Sequence, residues 1–272
     1  MEKYSVLMSV YKDEKVDFLR LALDSMINQT VAPDEIVLVE DGKLTEELYN
    51  LIENYVERFP ELFNIVINET NMGLGLALNQ GLKACRNELV ARMDTDDISK
   101  PDRCEKQLNV FKNDCEVDIV GSFVDEFYTN PEEIVSTRVV PETHEEIYQF
   151  AKKRSAFNHP VVMYKKSKVM EFNGYSDLRR NQDVDLFGRM LFGGCKAKNI
   201  GESLLLFRSN DSLAKRRKSW QNTKSYIDTI KNFWRMGYSS FGDYLKVAVA
   251  QTIMFLLPIK VQHWVYKKFL RK

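Results

Sequence analysis

The sequence predicts an α/β fold with a mostly parallel central sheet, followed by a helical, basic C-terminal tail. Over the first hundred residues, short apolar segments typical of buried strands alternate with segments of helical periodicity. Carboxylates follow two of these strands, where ligands bind in parallel sheets. The charges are also divided, because residues 212–272 carry 13 basic and two acidic side chains, whereas the preceding residues carry 26 and 37.

The alternation begins with the strand Tyr4–Val10, which is apolar at nearly every position, as expected for a strand covered on both faces. Further strands are predicted at 36–39, 64–67 and 89–93, and helices at 18–27, 46–59 and Leu74–Ala84. This order predicts a parallel sheet with helices on both faces. A ligand is expected beyond the carboxyl ends of its strands.

Beyond Pro101 the periodicity is weaker. Helices are predicted at 102–112 and Gln182–Phe192, strands at 119–124 and 161–164, and a helical region from Trp220 onward. We expect no membrane-spanning helix, because no stretch reaches about 18 uninterrupted apolar residues. The N-terminal segment lacks the long apolar core of a signal peptide, so a cytoplasmic protein is expected.

The strongest local signal is the acidic loop that follows the predicted strand 89–93, where Asp94, Asp96 and Asp97 place three carboxylates within four positions. Their repulsion is unfavourable unless a cation or hydrogen bonds neutralise it. Oxygen-rich sites of this kind suit Mg²⁺ or Mn²⁺, which in turn bind phosphate oxygens. A solvated acidic turn is the alternative. A second acidic pair, Glu40 and Asp41, ends a neighbouring strand and favours the ligand site.

A partial G-x-G-x-x-G pattern begins at Gly73, which raises the possibility of a nicotinamide cofactor. Leu78 occupies the third glycine position, however, and the turn follows the third strand rather than the first. The two glycines are therefore interpreted as positions where the backbone approaches another ligand closely.

Several short motifs occur in a fixed order along the chain. They are Ser9-Val10-Tyr11, Glu40-Asp41-Gly42, Asn71-Met72-Gly73, Asp94-Thr95-Asp96-Asp97, Gly174-Tyr175, Gln182-Asp183-Val184-Asp185-Leu186 and Arg189. This order resembles that of the family 2 inverting glycosyltransferases of GT-A fold, over about residues 4–210. The resemblance implies a GT-A-like nucleotide-sugar-binding domain at 1–211, with a nucleotide half up to about residue 100 and an acceptor half after it. The tail, 212–272, lies outside it.

The resemblance also implies roles for single residues. The nucleotide sugar would be bound by Ser9, Tyr11, Glu40, Asp41, Asn71, Gly73, Asp94 and Asp96. Asp96 would also hold Mn²⁺ or Mg²⁺ on the diphosphate, where the ion neutralises the leaving group. Asp183 would be the general base that accepts the proton of the acceptor hydroxyl.

Some positions differ from the family pattern. Glu40 stands where the family usually has Asp, Gln182 where it has Glu, and Lys12 where Asn is frequent. Asn210 replaces the His of a Y-R-x-H segment, which leaves a third protein ligand to the metal open. His159 is a candidate for the acceptor side, with a structural role as the alternative.

The tail is predicted to be a helical, basic, amphipathic, membrane-associating segment. After Pro258, an apolar face is bordered by five cations, which is typical of an interfacial helix. The residues of that face are Val261, Trp264, Val265 and Phe269. A tail helix packed on the catalytic domain is the alternative.

The predicted function is metal-dependent inverting transfer of a hexose from a nucleotide sugar, UDP-glucose or UDP-galactose, to a lipid-linked acceptor. The acceptor would be an undecaprenyl-diphosphate sugar at the inner face of the cell membrane, and the specific expectation is a β-1,3 linkage. Such a reaction belongs to bacterial O-antigen, capsule or exopolysaccharide synthesis.

Two other functions are alternatives to this one. A sugar nucleotidyltransferase needs a Gly-rich basic loop after the first strand, and residues 11–14 do not form that pattern. A nucleic-acid-binding protein would act through the basic tail. The net charge of −11 before Ser212 would repel nucleic acid, so no such partner is expected.

Overall fold

The structure of the protein is a computed structural model that describes residues 3–209 and 219–257. The strands are β1 (Tyr4–Val10), β2 (Glu35–Asp41), β3 (Phe63–Asn68), β4 (Leu89–Arg92), β5 (Ile98–Ser99), β6 (Val117–Phe127), β7 (Ile134–Arg138), β8 (Met163–Lys165) and β9 (Lys196–Arg208). The helices are α1 (Val16–Ile27), α2 (Glu46–Arg58), α3 (Leu74–Ala84), α4 (Arg103–Asn113), α5 (His144–Ala151), α6 (Lys166–Glu171), α7 (Gln182–Phe192), α8 (Trp220–Arg235) and α9 (Phe241–Leu256).

The described strands form one mixed sheet in the order β3-β2-β1-β4-β8-β6-β9-β5, and β7 pairs with β6. Strands β1 to β4 are mutually parallel where they pair, as the sequence predicts. Alternate residues of β2 enter different cores: Ile36 and Leu38 pack with α1 and α2, whereas Val37 and Val39 pack with α3. Both faces of the nucleotide half are therefore covered by helices.

The second half of the sheet makes the whole sheet mixed rather than mostly parallel. Strand β8 lies antiparallel between β4 and β6, and β6 pairs in parallel with β9. The predicted strand 161–164 is displaced, because residues His159–Val161 form a 3₁₀ turn before β8 begins. Pairing with two distant strands determines where β8 begins, and local sequence carries no such information.

Helices α8 and α9 pack on the acceptor half of the chain. Ile230 and Phe233 are buried in the same core as α7, where a Cβ on Gly188 would lie 2.0 Å from the Phe233 ring. Every helix within 3–209 and 219–257 is too short or too polar to cross a bilayer. The predicted boundary at 211/212 and the interfacial helix after Pro258 lie outside the described residues, so both stay predictions.

Candidate active site

A cleft of about 1740 Å³ opens at the carboxyl ends of β1, β2 and β4. Its lining includes eight of the nine site residues that the sequence analysis selects. These are Ser9, Tyr11, Asp41, Asn71, Gly73, Asp94, Asp96 and Asp183. The ninth, Glu40, is buried but is not among the lining residues, because neighbouring residues of a strand point to opposite faces. Burial, and then the charge of Glu53, raise the pKa of Glu40.

Asp41 holds the loop between β3 and α3 in place. Its Oδ1 accepts hydrogen bonds from Asn68 Nδ2 at 3.0 Å and from the backbone N–H of Met72 at 2.9 Å, and its Oδ2 accepts one from Gly73 N–H at 3.0 Å. Asn71 Nδ2 donates to the Asp41 carbonyl at 3.1 Å. The sequence predicts a ligand contact for Asp41, and the structure adds that this carboxylate orders the loop that lines this side of the cleft.

The acidic loop after β4 concentrates negative charge. Asp94, Asp96 and Asp97 each contribute one carboxylate oxygen to a group whose members all lie within 4.8 Å of one another. Burial, followed by the charges of Asp94 and Glu14, raises the pKa of Asp96 to about 7. Burial, followed by Asp96 and Asp94, raises the pKa of Asp97 well above its ordinary value.

This loop fits a divalent cation. Asp97 is fully buried, and its Oδ2 has no hydrogen-bond partner among the described residues. Buried carboxylates crowded in this way are poorly compensated by the protein alone. The donor set consists of oxygen atoms, which Mg²⁺ and Mn²⁺ prefer. Asp94 and Asp96 both line the cleft, but Asp94 is paired with Arg92, so Asp96 is the carboxylate best placed to hold such an ion near a ligand.

Three further charged residues, none of them predicted from the sequence as a site residue, lie at the site. Arg92 is 1% exposed and forms an ion pair with Asp94. Glu14 accepts a hydrogen bond from Thr95 Oγ1 at 2.5 Å, and burial raises its pKa. The guanidinium of Arg208 lies over the Phe18 ring at 3.9 Å, and its Nε donates to the Asp96 carbonyl at 2.9 Å.

Asp183 lies in the first turn of α7, immediately after the capping region at Asn181. Burial raises the pKa of Asp183, while backbone N–H groups of the helix start and the charge of Arg92 oppose that effect. A raised pKa brings a carboxylate closer to the range in which a general base works best. Asp185 is not among the lining residues; it is bound to Arg189 Nε at 2.9 Å and to Ser176 Oγ.

His159 lines the cleft and is also held in the core. Its Nε2 lies 2.9 Å from Tyr175 Oη, and its ring packs against the rings of Tyr175 and Phe187. Burial, followed by the charge of Arg92, lowers the pKa of His159 well below its ordinary value. The imidazole is therefore neutral near pH 7. The structural role of His159 is confirmed, and its contact with an acceptor stays a prediction.

The arrangement supports one kind of chemistry. An acidic loop suited to a divalent cation and a carboxylate at a helix start line the same cleft. Gln182, next to Asp183, carries an amide rather than a carboxylate. Asp183 is therefore the carboxylate at the start of α7 that lines the cleft. A cation that binds a diphosphate and a base that accepts a hydroxyl proton would both assist sugar transfer from a nucleotide diphosphate.

Comparison with known sequences agrees with this chemistry. The model of the family "Glycosyl transferase family 2" matches residues 5–179. The chain is 36% identical over 270 residues to an Escherichia coli UDP-Gal:alpha-D-GlcNAc-diphosphoundecaprenol beta-1,3-galactosyltransferase, covering 99% of this chain and 97% of that protein. It is 34% identical over 265 residues to the amylovoran biosynthesis glycosyltransferase AmsE of Erwinia amylovora, covering 97% and 98%.

The fold is also found among solved structures. The mannosyltransferase PcManGT of Pyrobaculum calidifontis, solved with GDP-Man and Mn²⁺, superposes with a TM-score of 0.65 at 14% identity, over 96% of this chain and 71% of that chain. This similarity confirms the predicted GT-A-like α/β fold.

Proposed function

The chain belongs to glycosyl transferase family 2 and is a glycosyltransferase, and from this premise we propose that it transfers a hexose from a UDP-sugar to a lipid-linked saccharide with inversion. The observation that carries the proposal is that the acidic loop and Asp183 line one cleft. The Escherichia coli galactosyltransferase supports the choice of donor and acceptor, because its name states both and the two chains align over nearly their whole length.

The proposed reaction is a single displacement. Asp183 accepts the proton of the acceptor hydroxyl, whose oxygen forms a bond to the anomeric carbon of the donor sugar. The bond from that carbon to the diphosphate oxygen breaks, and its electron pair leaves with the nucleoside diphosphate. Attack and departure on opposite faces invert the anomeric configuration. Asp96 would hold a Mn²⁺ or Mg²⁺ ion, which would supply positive charge for the leaving diphosphate.

The chain's own residues hold the donor. Ser9, Tyr11 and the loop that Asp41 organises line the nucleotide side of the cleft. Asp94, which is ion-paired with Arg92 and lines the same cleft, is the proposed ribose contact. Glu40 does not line the cleft itself. We propose that it contributes to donor binding only indirectly, through its neighbour Asp41.

The proposed product is a lipid-linked intermediate of a bacterial surface polysaccharide, O-antigen, capsule or exopolysaccharide, with a β-1,3 linkage. The relatives support this proposal, since one is named for transfer to a diphosphoundecaprenol acceptor and another for amylovoran biosynthesis. Nucleic acid is not a proposed partner.

We also propose that the protein binds the anionic inner surface of the cell membrane through its C-terminal region. Helix α9 carries an apolar stripe in which every member is about half exposed or more. The stripe consists of Phe241, Leu245, Val249, Ile253 and Leu256. At one end, the Trp234 ring stacks on Tyr244 at 5.6 Å, and at the other Trp220 packs on Phe255 at 5.4 Å.

Such a stripe suits the interface of a bilayer. Its 16-residue helix is about 24 Å long, and Trp and Tyr are enriched where membranes meet water. Basic sequence flanks the α8–α9 pair on both sides, at 215–218 and at 260–272, and complements anionic headgroups. The opposite side of α9 lines the cleft with Val247, so binding by the stripe would place the cleft beside the membrane surface.

A transfer assay tests the proposed activity. Purified protein with Mn²⁺ is incubated with a panel of nucleotide sugars, with and without a short-chain lipid-diphosphate N-acetylhexosamine. We expect transfer from a UDP-hexose that depends on both the metal and the acceptor, and a β-linked product by NMR. An α-linked product would contradict inversion, and transfer of the nucleotidyl group would favour a nucleotidyltransferase instead.

A further inference from the structure

The cleft is lined by cations that the proposed reaction does not use. The acidic residues in its described lining end or follow β1, β2 or β4, apart from Asp183 at the start of α7. Four cations of the lining also end or follow strands: Lys15, Arg92, Arg138 and Arg208. Five others come from the segment after α5, the loop before α7 and helix α9, and we call them the basic cluster. It consists of Lys153, Arg154, Arg179, Arg180 and Lys246.

One turn of helix α8 holds the segments of the basic cluster together. Tyr226 Oη donates to the Lys153 carbonyl at 3.1 Å, and Ser225 Oγ donates to the Arg180 carbonyl at 3.1 Å. Because Ser225 and Tyr226 are consecutive, the end of α5 and the loop before α7 meet at this turn. These hydrogen bonds fix the backbones of both segments. Lys153, Arg154 and Arg179 are exposed residues.

Helix α9 adds the last member of the basic cluster. Lys153 Nζ lies 3.5 Å from Asp243 Oδ1 in the first turn of α9, and Lys246 follows Asp243 by three residues. Residues with this spacing share one face of a helix. Asp243 partly balances Lys153, but it is bound in the capping box of α9 with Ser240, and the cluster keeps an excess of positive charge.

The basic cluster adjoins the proposed base. Asp183 follows Arg180 by three residues, and Asn181 between them donates to Ser225 Oγ at 3.3 Å. An acceptor sugar whose hydroxyl reaches Asp183 has its anomeric substituent about one ring width away. In a lipid-linked acceptor that substituent is a diphosphate. Arg and Lys side chains bind such groups through charge-assisted hydrogen bonds.

We propose that the basic cluster is a binding subsite for the diphosphate of the acceptor, separate from the metal site that binds the diphosphate of the donor. This inference rests on the proposed function, because it assumes a lipid-diphosphate acceptor. The subsite selects acceptors by their charge and positions the sugar, so that the correct hydroxyl faces Asp183.

Two acceptor probes with the same sugar test this proposal. One is N-acetylglucosaminyl diphosphate esterified to a short alkyl chain, and the other is the neutral alkyl glycoside. The variants are Arg179→Gln and the double variant Lys153→Gln/Arg154→Gln in the full chain. Lys224→Gln is the matched control, since Lys224 is exposed on α8 but is not among the lining residues.

We expect each test variant to raise the KM for the diphosphate probe by about 10-fold, the scale of a lost charge-assisted contact. The KM for the neutral glycoside, the KM for the donor and the turnover number should stay within about 2-fold, as should all values for the control. Added salt should weaken binding of the charged probe alone.

The remaining outcomes are distinguishable. If both probes lose affinity equally, the basic cluster only shapes the cleft, and the subsite is wrong while the proposed function stands. If vesicle binding falls while both KM values stay constant, the cluster contacts lipid headgroups and the inference is again wrong. If the unaltered enzyme transfers sugar to neither probe, the proposed acceptor fails, and the inference fails with it.

Discussion

The backbone N–H of Arg208 donates a 2.8 Å hydrogen bond to Oδ1 of Asp97, which fixes the end of β9 to the acidic loop after β4. The two residues are separated by 111 positions in the chain. The Arg208 side chain also donates to the backbone carbonyl of Asp96. One residue of β9 therefore positions the backbone of the proposed metal ligand. The site therefore depends on the second half of the sheet as much as on the first.

The first prediction concerns the metal. Asp96→Ala should abolish transfer and remove the dependence of UDP binding on Mn²⁺, since the diphosphate loses its bridging ion. Calorimetric titration of UDP with and without Mn²⁺ checks this, and Asp102→Ala, outside the cleft, is the matched control. Full activity of chelator-treated protein would show that the metal assignment is wrong.

The second prediction concerns the base. Asp183→Asn keeps the size of the side chain but cannot accept a proton, so turnover should fall at least ~100-fold with UDP binding unchanged. Asp185→Asn is the comparison variant: it weakens the contact with Arg189 and should cost stability rather than turnover. Steady-state kinetics measures the loss of turnover, and thermal unfolding of the same variants measures the loss of stability. Normal turnover of Asp183→Asn would mean that another group is the base.

The third prediction uses two glycines with the same φ of +85°. Gly42→Ala and Gly73→Ala should each destabilise the fold by about 1–3 kcal/mol, because a side chain is strained in this region. A Cβ on Gly42 would also lie 2.7 Å from Asn71 N, whereas nothing lies within 4 Å of one on Gly73. UDP binding should therefore weaken more in Gly42→Ala. Equal losses of UDP affinity would contradict this account of the loop.

The fourth prediction concerns acid stability. The pKa of His159 is well below 6.5 in the folded protein, so below pH 6.5 the unfolded chain binds a proton that the native state excludes. The contribution of His159 is complete above pH 6.5 and is lost as the pH falls. Between pH 7 and pH 5, the stability of the unaltered protein should therefore fall relative to that of His159→Gln. Denaturant unfolding at both pH values measures this, and a constant difference would refute it.

The fifth prediction concerns the apolar stripe of α9. Val249→Asp/Ile253→Asp should reduce partition onto anionic vesicles at least ~10-fold, since charged side chains oppose interfacial burial. Ile67→Asp is the control, because Ile67 is exposed on β3 and lies off the stripe. If residues 258–272 cover the stripe instead, a chain ending at Leu257 will bind vesicles more strongly than the full chain, contrary to our proposal.

Much of the nucleotide half could be predicted from sequence, because its information is local. Apolar runs and helical periodicity alternate there, and the carboxylates sit at strand ends, so β1 to β4 and α1 to α3 are all anticipated. Of the later elements, β5, β7, β9, α5 and α6 are not predicted from the sequence. Strand β9 contains Gly201 and several polar residues, and its pairing with β6, rather than its own composition, makes it a strand.

The site shows the same limit. Asp41 and Asp96 belong to short motifs and were found, whereas Arg92 and Arg208 acquire their roles from contacts across the sheet. Arg92 stands at the end of an apolar strand, where a buried cation is unusual enough to serve as a signal. Arg208 lies in the segment that resembles Y-R-x-H, but that pattern does not reveal that its backbone N–H and its side chain bind the acidic loop, a contact that forms only when β9 reaches that loop.

The position of β8 has a consequence for synthesis of the chain. Strand β4 is complete at residue 92, but its outer edge is paired by β8, at residues 163–165. While the ribosome adds the intervening segment, the apolar strand β4 has an unpaired edge. Such an edge is a template for pairing with other chains. Domains that acquire an interior strand late fold slowly and aggregate readily. We therefore expect the nascent protein to need chaperone protection until about residue 165 has left the ribosomal exit tunnel.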